Sequence, residues 1–236
     1  MISVRKGKGA VNNGRVSHNH EIVGAGAGAS PEPLLERTIA EWGGRDDLWL
    51  FGYGSLIWRQ EFDAVEYRPA RVHGWHRALK LWSRQHRGTA HNPGLVFGLL
   101  SGGSCRGVVF RVPAADGLEA LGRLWLREMP DAVYDPRWLD CVTASGRVRA
   151  LAFTLSRRSP HFAGELSDDR YRQIFRSATG HFGTSIDYAR LTLQELKRHS
   201  IHDRALARLV KLADAERMAD LFEDEAAGEP GVNPPG

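Results

Sequence analysis

Glu128 and the stretch Phe51-Gly52-Tyr53-Gly54-Ser55-Leu56 are the residues whose types and spacing point to chemistry. Glu128 ends a helical period of Leu118, Leu121 and Trp125, with increments of three and four, and so falls in line with an apolar stripe. A carboxylate there is disfavoured as an anion by desolvation and by the negative end of the helix macrodipole. One reading is therefore a carboxyl lifted above the ordinary glutamate range and poised for proton exchange with a substrate. The alternative is a helix-end glutamate held in a salt bridge by Arg127 or Arg123. Arg127 is expected to point elsewhere, because successive helical residues turn by about 100°.

In the glycine stretch, φ > 0 at Gly52 and Gly54 would turn successive N–H groups into one concavity that holds a carboxylate or phosphate. The alternative is a tight turn between two strands. Such an anion site and one tuned carboxylate suit a small zwitterion whose own amine attacks its own carbonyl. Tyr134 lies beyond the Met129-Pro130 break and either brings its phenol to the same site or is a partly buried aromatic. Arg87, in a loop of Ser, Gln, Gly, Thr and Asn, either steers an anionic substrate or orders a lid, or else is a solvated loop charge. His73 and His76 have HxxH spacing, with His86 and His91 following, but no helical metal-ligand interval accompanies them, so no metal is expected. Ser55 lacks the G-x-S-x-G context of a nucleophile, and no Gly-Lys-Ser/Thr of a phosphate loop occurs.

The elements that must position these residues begin with Leu48 to Phe51, a short buried strand. Further strand-like runs are Ala64 to Arg77, Ala78 to Ser83, Leu95 to Leu100 and Gly107 to Val112, with Ser101-Gly102-Gly103-Ser104 as a hairpin turn between the last two. Asp116 and Glu119 have the form of a capping box opening the helix that carries Glu128. Strand-like segments follow around Asp140 to Ala144 and Val148 to Leu155. Three helices are then expected: Asp168 to Thr179 capped by Ser167 and ended by Gly180, Ile186 to His199 capped by Thr184 or Ser185, and one capped by Asp203. A helix near Pro33 to Trp42, ended by Gly43-Gly44, precedes them all. The pattern reads as one α+β domain with a mixed or antiparallel sheet curled into a small barrel. Residues 1–33 form an extension expected to be disordered, 34–213 the folded domain, and 214–236 an acidic tail.

The 236 residues carry a formal net charge of +4, split between a basic start and an acidic end. No compact basic patch interleaved with aromatics accompanies them, so no nucleic-acid partner is expected. No apolar run approaches the ~20 residues of a membrane helix, and no signal-type apolar region is present. Two cysteines, Cys105 and Cys141, fit free thiols in a reducing, cytoplasmic compartment, and Cys105 is placed in the glycine turn.

Phe51-Gly-Tyr-Gly-Ser-Leu-Ile-Trp58, Gly74-Trp-His-Arg77, His86-Arg-Gly-Thr89, Pro93-Gly-Leu-Val96, Gly102-Gly-Ser-Cys-Arg-Gly-Val108, Leu124-Trp-Leu-Arg-Glu-Met129 with Tyr134, and Ile201-His-Asp203 occur in that order. Together they resemble the bacterial ChaC-type γ-glutamylcyclotransferases, from about Leu48 to Leu212. The resemblance implies a γ-glutamylcyclotransferase-like fold, a small β-barrel with flanking helices. It implies cleavage of glutathione to 5-oxoproline and cysteinylglycine with no cofactor, metal, nucleotide or water as co-substrate. Carried over by position, the backbone of Tyr53, Gly54, Ser55 and Leu56 would hold the γ-glutamyl α-carboxylate. Glu128 would be the general base and acid, with Tyr134 and Arg87 in the substrate site. Cyclotransferase activity on other γ-glutamyl amines or peptides, and a non-catalytic binding module linked to cation transport, are the alternatives. His161-Phe162 departs from the pattern, standing where a more polar loop with tyrosine is expected.

Overall fold

Leu48-Trp49-Leu50-Phe51 becomes strand β1 (Leu48–Gly52), in which Leu48, Leu50 and Phe51 are all buried. Cover on both faces is why the run lacks polar alternation. The computed structural model describes residues 31–227, with side chains as far as residue 215. In it β1 pairs antiparallel with β3 (Gly94–Val112), from Leu48↔Val112 to Gly52↔Val108. At Leu50↔Leu151 it lies parallel to β5 (Gly146–Thr154). With β2 (Glu66–Ser83) and β4 (Asp135–Thr143), the order β1-β3-β2-β4-β5 closes into a barrel.

Ser101-Gly102-Gly103-Ser104 is not the hairpin turn expected of it. Strand β3 runs through it for 19 residues beside the 18 of β2, and residues 84–93 make the turn. The stretch faces Gly74 instead, where the register steps between His73 and Trp75. Gly74, Gly102 and Gly103 take φ of 79°, 98° and 71°, so the two strands share an irregularity that only glycine accommodates readily. Beyond it Leu81, Leu100 and Leu155 form a small second core. Phe162 bridges to Leu81 there, so the departure at His161-Phe162 extends the sheet instead of making a polar loop. Cys105 is correspondingly buried in β3, not in a turn, and Cys141 is buried in β4. They oppose Val72 from either side, two strand spacings apart, roughly 9–10 Å and too far for a disulfide.

Helix α1 (Pro31–Trp42) packs Leu34, Leu35, Ile39 and Trp42 against the core and ends at Gly43 and Gly44, both with positive φ. Helix α2 (Ala114–Glu128) starts two residues before the expected capping box. Asp47 makes the cap from outside: its Oδ1 accepts the Ala114 amide at 3.0 Å while Oδ2 pairs with Arg111. The buried stripe of α2 is Gly117, Ala120, Leu121, Leu124 and Trp125, so Leu118, expected inward, is 58% exposed.

Helices α3 (Asp168–Ser177), α4 (Ser185–Arg198) and α5 (Arg204–Ala227) carry the expected caps, Ser167, Thr184 and Asp203, each accepting an amide three residues on. Gly180 does not end α3. It pairs with Gly183 in a two-stranded hairpin of β6 (Thr179–Gly180) and β7 (Gly183–Thr184). A Cβ at Gly180 would come within 2.4 Å of the Gly88 amide nitrogen, so backbone packing, not helix termination, demands the glycine. Asp203 also grips Arg77, whose Nη1 donates to the carbonyls of Tyr53 and Arg106; this ties α5 to the end of β1. The boundaries expected at 33 and 213 fall inside α1 and α5. The expected disorder of the N-terminal extension lies largely outside the described residues. Among the described residues no helix is long and apolar enough to cross a membrane.

Candidate active site

The last residue of α2 is Glu128, and its side chain is 15% exposed. Burial, the largest cause, holds its carboxyl above the ordinary glutamate range; Arg127 opposes that shift and Glu61 adds to it. Three phenols surround the carboxylate closely enough to feel its charge. Tyr53 donates to the Phe153 carbonyl at 2.7 Å and Tyr134 to the Phe97 carbonyl at 3.3 Å. Tyr53 and Tyr134 are raised well above the usual tyrosine range and Tyr188 to about 12, burial first in each case, so all three stay protonated.

After β1 the chain makes a single 3₁₀ turn, Ser55–Ile57. Neither Gly52 nor Gly54 takes the positive φ expected of it. Their need is for space: a Cβ at Gly52 would meet Phe110 at 2.9 Å, and one at Gly54 would meet the Tyr188 hydroxyl at 2.8 Å. The first amides of such a turn have no intrahelical acceptor. The Tyr188 hydroxyl lies in reach of both the amide and the hydroxyl of Ser55, which places this open end of the turn at the pocket. Leu56 is buried and anchors the turn.

Arg127 joins the two halves of the site. Its Nη2 donates to Ser55 Oγ at 2.7 Å, Nη1 to the Arg59 carbonyl at 2.6 Å, and Nε lies 3.1 Å from Glu128 Oε1. The expectation that it points away is thus corrected: helical angle fixes where Cβ leaves the axis, whereas a long arginine bends back along its own stem. Arg87 is no solvated loop charge. It is 8% exposed, donates to the carbonyls of Phe182 and Thr184, and stacks 5.2 Å from the Tyr188 ring. It latches the β6–β7 hairpin and backs Tyr188. The structure therefore brings Glu128, Tyr53, Gly54, Ser55, Leu56 and Tyr134 together and sets Arg87 behind them. Sequence reasoning missed Arg127 and Tyr188. The signal for Tyr188 was available, because Thr184 as N-cap puts it in the second turn of α4 beside the inward stripe of Ser185, Ala189 and Thr192.

Among the described residues no three His, Cys, Asp or Glu side chains converge as a metal site. A cleft of about 610 Å³ between the end of α1 and β4–β5, lined by Trp42, Trp138, Arg147 and Arg149, holds none of the residues above. The arrangement at Glu128 offers the amides that open the turn to a carboxylate, beside a carboxyl able to take and return a proton.

The sequence model for ChaC-like proteins matches residues 48–216. The chain belongs to the ChaC-like family. Across 80% of its length this ChaC-like chain is 32% identical to the glutathione-specific γ-glutamylcyclotransferase of Escherichia coli K12, of which it covers 82%. Identity is 30% to the glutathione-specific γ-glutamylcyclotransferase 1 of Danio rerio, over 68% of this chain and 84% of that one. A crystal structure of a yeast γ-glutamyl cyclotransferase specific to glutathione superposes with a TM-score of 0.66 at 20% identity, covering 73% of this chain and 97% of its own. The barrel with flanking helices is therefore the γ-glutamylcyclotransferase fold, as expected.

Proposed function

We propose that this ChaC-like protein is a glutathione-specific γ-glutamylcyclotransferase acting in the cytoplasm, with the catalytic unit running from α1 through α5. The amides opening the Ser55 turn hold the substrate α-carboxylate, and Arg127 fixes that turn against Glu128. Glu128, as carboxylate, takes a proton from the α-ammonium, whose free-solution pKa is about 8. The freed amine attacks the γ-carbonyl carbon and forms the new C–N bond of a five-membered lactam. Glu128 returns its proton to the departing cysteinyl nitrogen as the old C–N bond breaks; the second proton, shed by the attacking nitrogen as it becomes the lactam N–H, passes to the released amine, giving 5-oxoproline and cysteinylglycine. No atom of water enters either product. Tyr134, Tyr53 and Tyr188 wall the pocket and keep water from the carboxylate, and Arg87 acts by fixing Tyr188. Amine and carbonyl already belong to one substrate molecule, so orienting the chain for ring closure, with a single acid/base, suffices for much of the acceleration.

The observation that carries this reading is the nearly buried Glu128, tied through Arg127 to Ser55. A protein that only bound an anion would gain nothing from placing a second anion there. The test is to incubate the purified protein separately with glutathione, a γ-glutamylamine and γ-Glu-Ala and to measure 5-oxoproline by mass spectrometry. Release from glutathione well above the other two is expected; release from the amine alone would replace this reading by a γ-glutamylamine cyclotransferase.

A further inference from the structure

Outside the groups that would hold the γ-glutamyl half, a second set of side chains gathers at the rim. Arg59 follows the Ser55 turn, and its amide donates to the Ser55 carbonyl at 2.7 Å. Its guanidinium touches Glu61 at 3.3 Å and lies 5.0 Å from the ring of Phe182, at the tip of the β6–β7 hairpin. Glu61 Oε1 also lies 3.6 Å from Arg127, so one carboxylate oxygen spans the two guanidiniums. His86 packs its ring 5.1 Å from Phe182. Partial burial and then the cations Arg87, Arg59, Arg127 and His181 hold His86 below the ordinary histidine range, which marks a positive local field.

The commitments of these cations differ. Arg127 is taken up by Ser55, the Arg59 carbonyl and Glu128, and Arg87 by the carbonyls of Phe182 and Thr184. Arg59 has a 48% exposed side chain, a loose contact to Glu61 and an aromatic face. Of the three arginines compared, it is the most exposed and the least hydrogen-bonded, and so the one best placed to take a ligand carboxylate. The wall behind it is fixed: the amides of His181 and Phe182 donate to the carbonyls of Gln85 and His86 at 3.0 and 2.8 Å, so the hairpin is bolted to the 84–93 loop. A bound group would meet a preformed surface and need no loop ordering.

We propose that Arg59, backed by Phe182 and flanked by His86, receives the glycyl carboxylate of the departing cysteinylglycine half and so selects γ-glutamyl peptides that end in a free acid. The inference rests on the cyclotransferase reading above. From the γ-carbonyl, two extended residues span about 7 Å, and Arg127, in contact with both Glu128 and the Arg59 carbonyl, joins the pocket to this rim. A planar guanidinium fits a carboxylate in two-point contact, whereas an amide at the same position offers neither the charge nor the second acceptor. A γ-glutamylamine leaves the site empty.

The test compares glutathione with its glycyl amide, identical except for that carboxylate, using 5-oxoproline release by the full chain. The wild type is expected to favour glutathione by about 10- to 100-fold in kcat/KM, chiefly through KM. In Arg59→Gln the ratio between the two substrates should collapse to within about twofold, with Arg59→Lys between. Equal use of both substrates by the wild type overturns the proposal without any variant, whatever the stability of Arg59→Gln. An equal loss on both substrates in Arg59→Gln, with the ratio preserved, also overturns it, because Arg59 then acts only through the turn it belongs to. Failure of the underlying reading looks different: no 5-oxoproline from either substrate would remove both claims together.

Discussion

Arg127 shows how one side chain sets the proton affinity of another. Burial drives Glu128 toward its neutral acid, and the guanidinium 3.1 Å away pulls it back toward the carboxylate form that accepts a proton. The sign follows directly. Arg127 lowers the Glu128 pKa, so its removal raises that pKa further and moves the acid limb of kcat/KM to higher pH. Arg127→Gln is expected to shift this limb upward and to lower kcat/KM at neutral pH by about 100-fold, the scale of one lost charge-stabilising group. A pH profile of 5-oxoproline release measures both; an acid limb left in place would remove Arg127 from this role. Of these residues, Glu128 and the turn after Phe51 were legible in the sequence because carboxylate placement and glycine spacing are local properties. Arg127 was not, since the reach of a flexible stem is decided by what stands at its far end.

Elements here are held by contacts distant in sequence, and this decides which of them could be read in advance. The cap of α2 comes from Asp47, separated from Ala114 by 67 positions, so the local capping-box signal at Asp116 misplaced the N-cap, Pro113, by three residues. Gly102-Gly103 reads equally well as a turn or as an irregularity within a long strand, and only the partner strand at Gly74 decides between them. Local caps at Ser167, Thr184 and Asp203 were readable because each bonds within its own first turn. Asp203 carries a further duty that the sequence does not disclose. Its Oδ2 holds Arg77, 2% exposed, which in turn holds the Tyr53 carbonyl beside the active-site turn. Asp203→Ala strips the cap and leaves a buried guanidinium unpaired, at a cost of about 3–5 kcal/mol. At about 2–4 °C per kcal/mol that is a fall of roughly 6–20 °C in Tm by thermal melting. A change under 2 °C would show that the pair does not join α5 to the barrel.

On the scale of the whole molecule, the barrel supplies rigidity and its rim supplies chemistry. Strand β1 is buried on both faces and ends at the turn, so the pocket amides inherit the position of a well-buried strand. Helix α2 delivers Glu128 to the same place from the other side, and the α3–α4 connection brings the β6–β7 hairpin across. Three separate stretches of chain thus meet, which is why the barrel class could be inferred from strand grammar while the joining of the stretches through Arg127 could not. Holding Glu128 away from water has a cost in stability. A carboxyl whose folded pKa lies above its unfolded value binds more protons folded than unfolded between those two values, so its destabilising effect grows as pH rises through that window and persists above it.

Glu128→Gln tests the central claim most directly, since it removes one titratable proton site and leaves the shape nearly unchanged. With glutathione at saturating concentration, release of 5-oxoproline at neutral pH is expected to fall by at least about 100-fold, the lower range for loss of a general acid/base, while glutathione still binds by calorimetry. Turnover equal to that of the wild type would contradict the account.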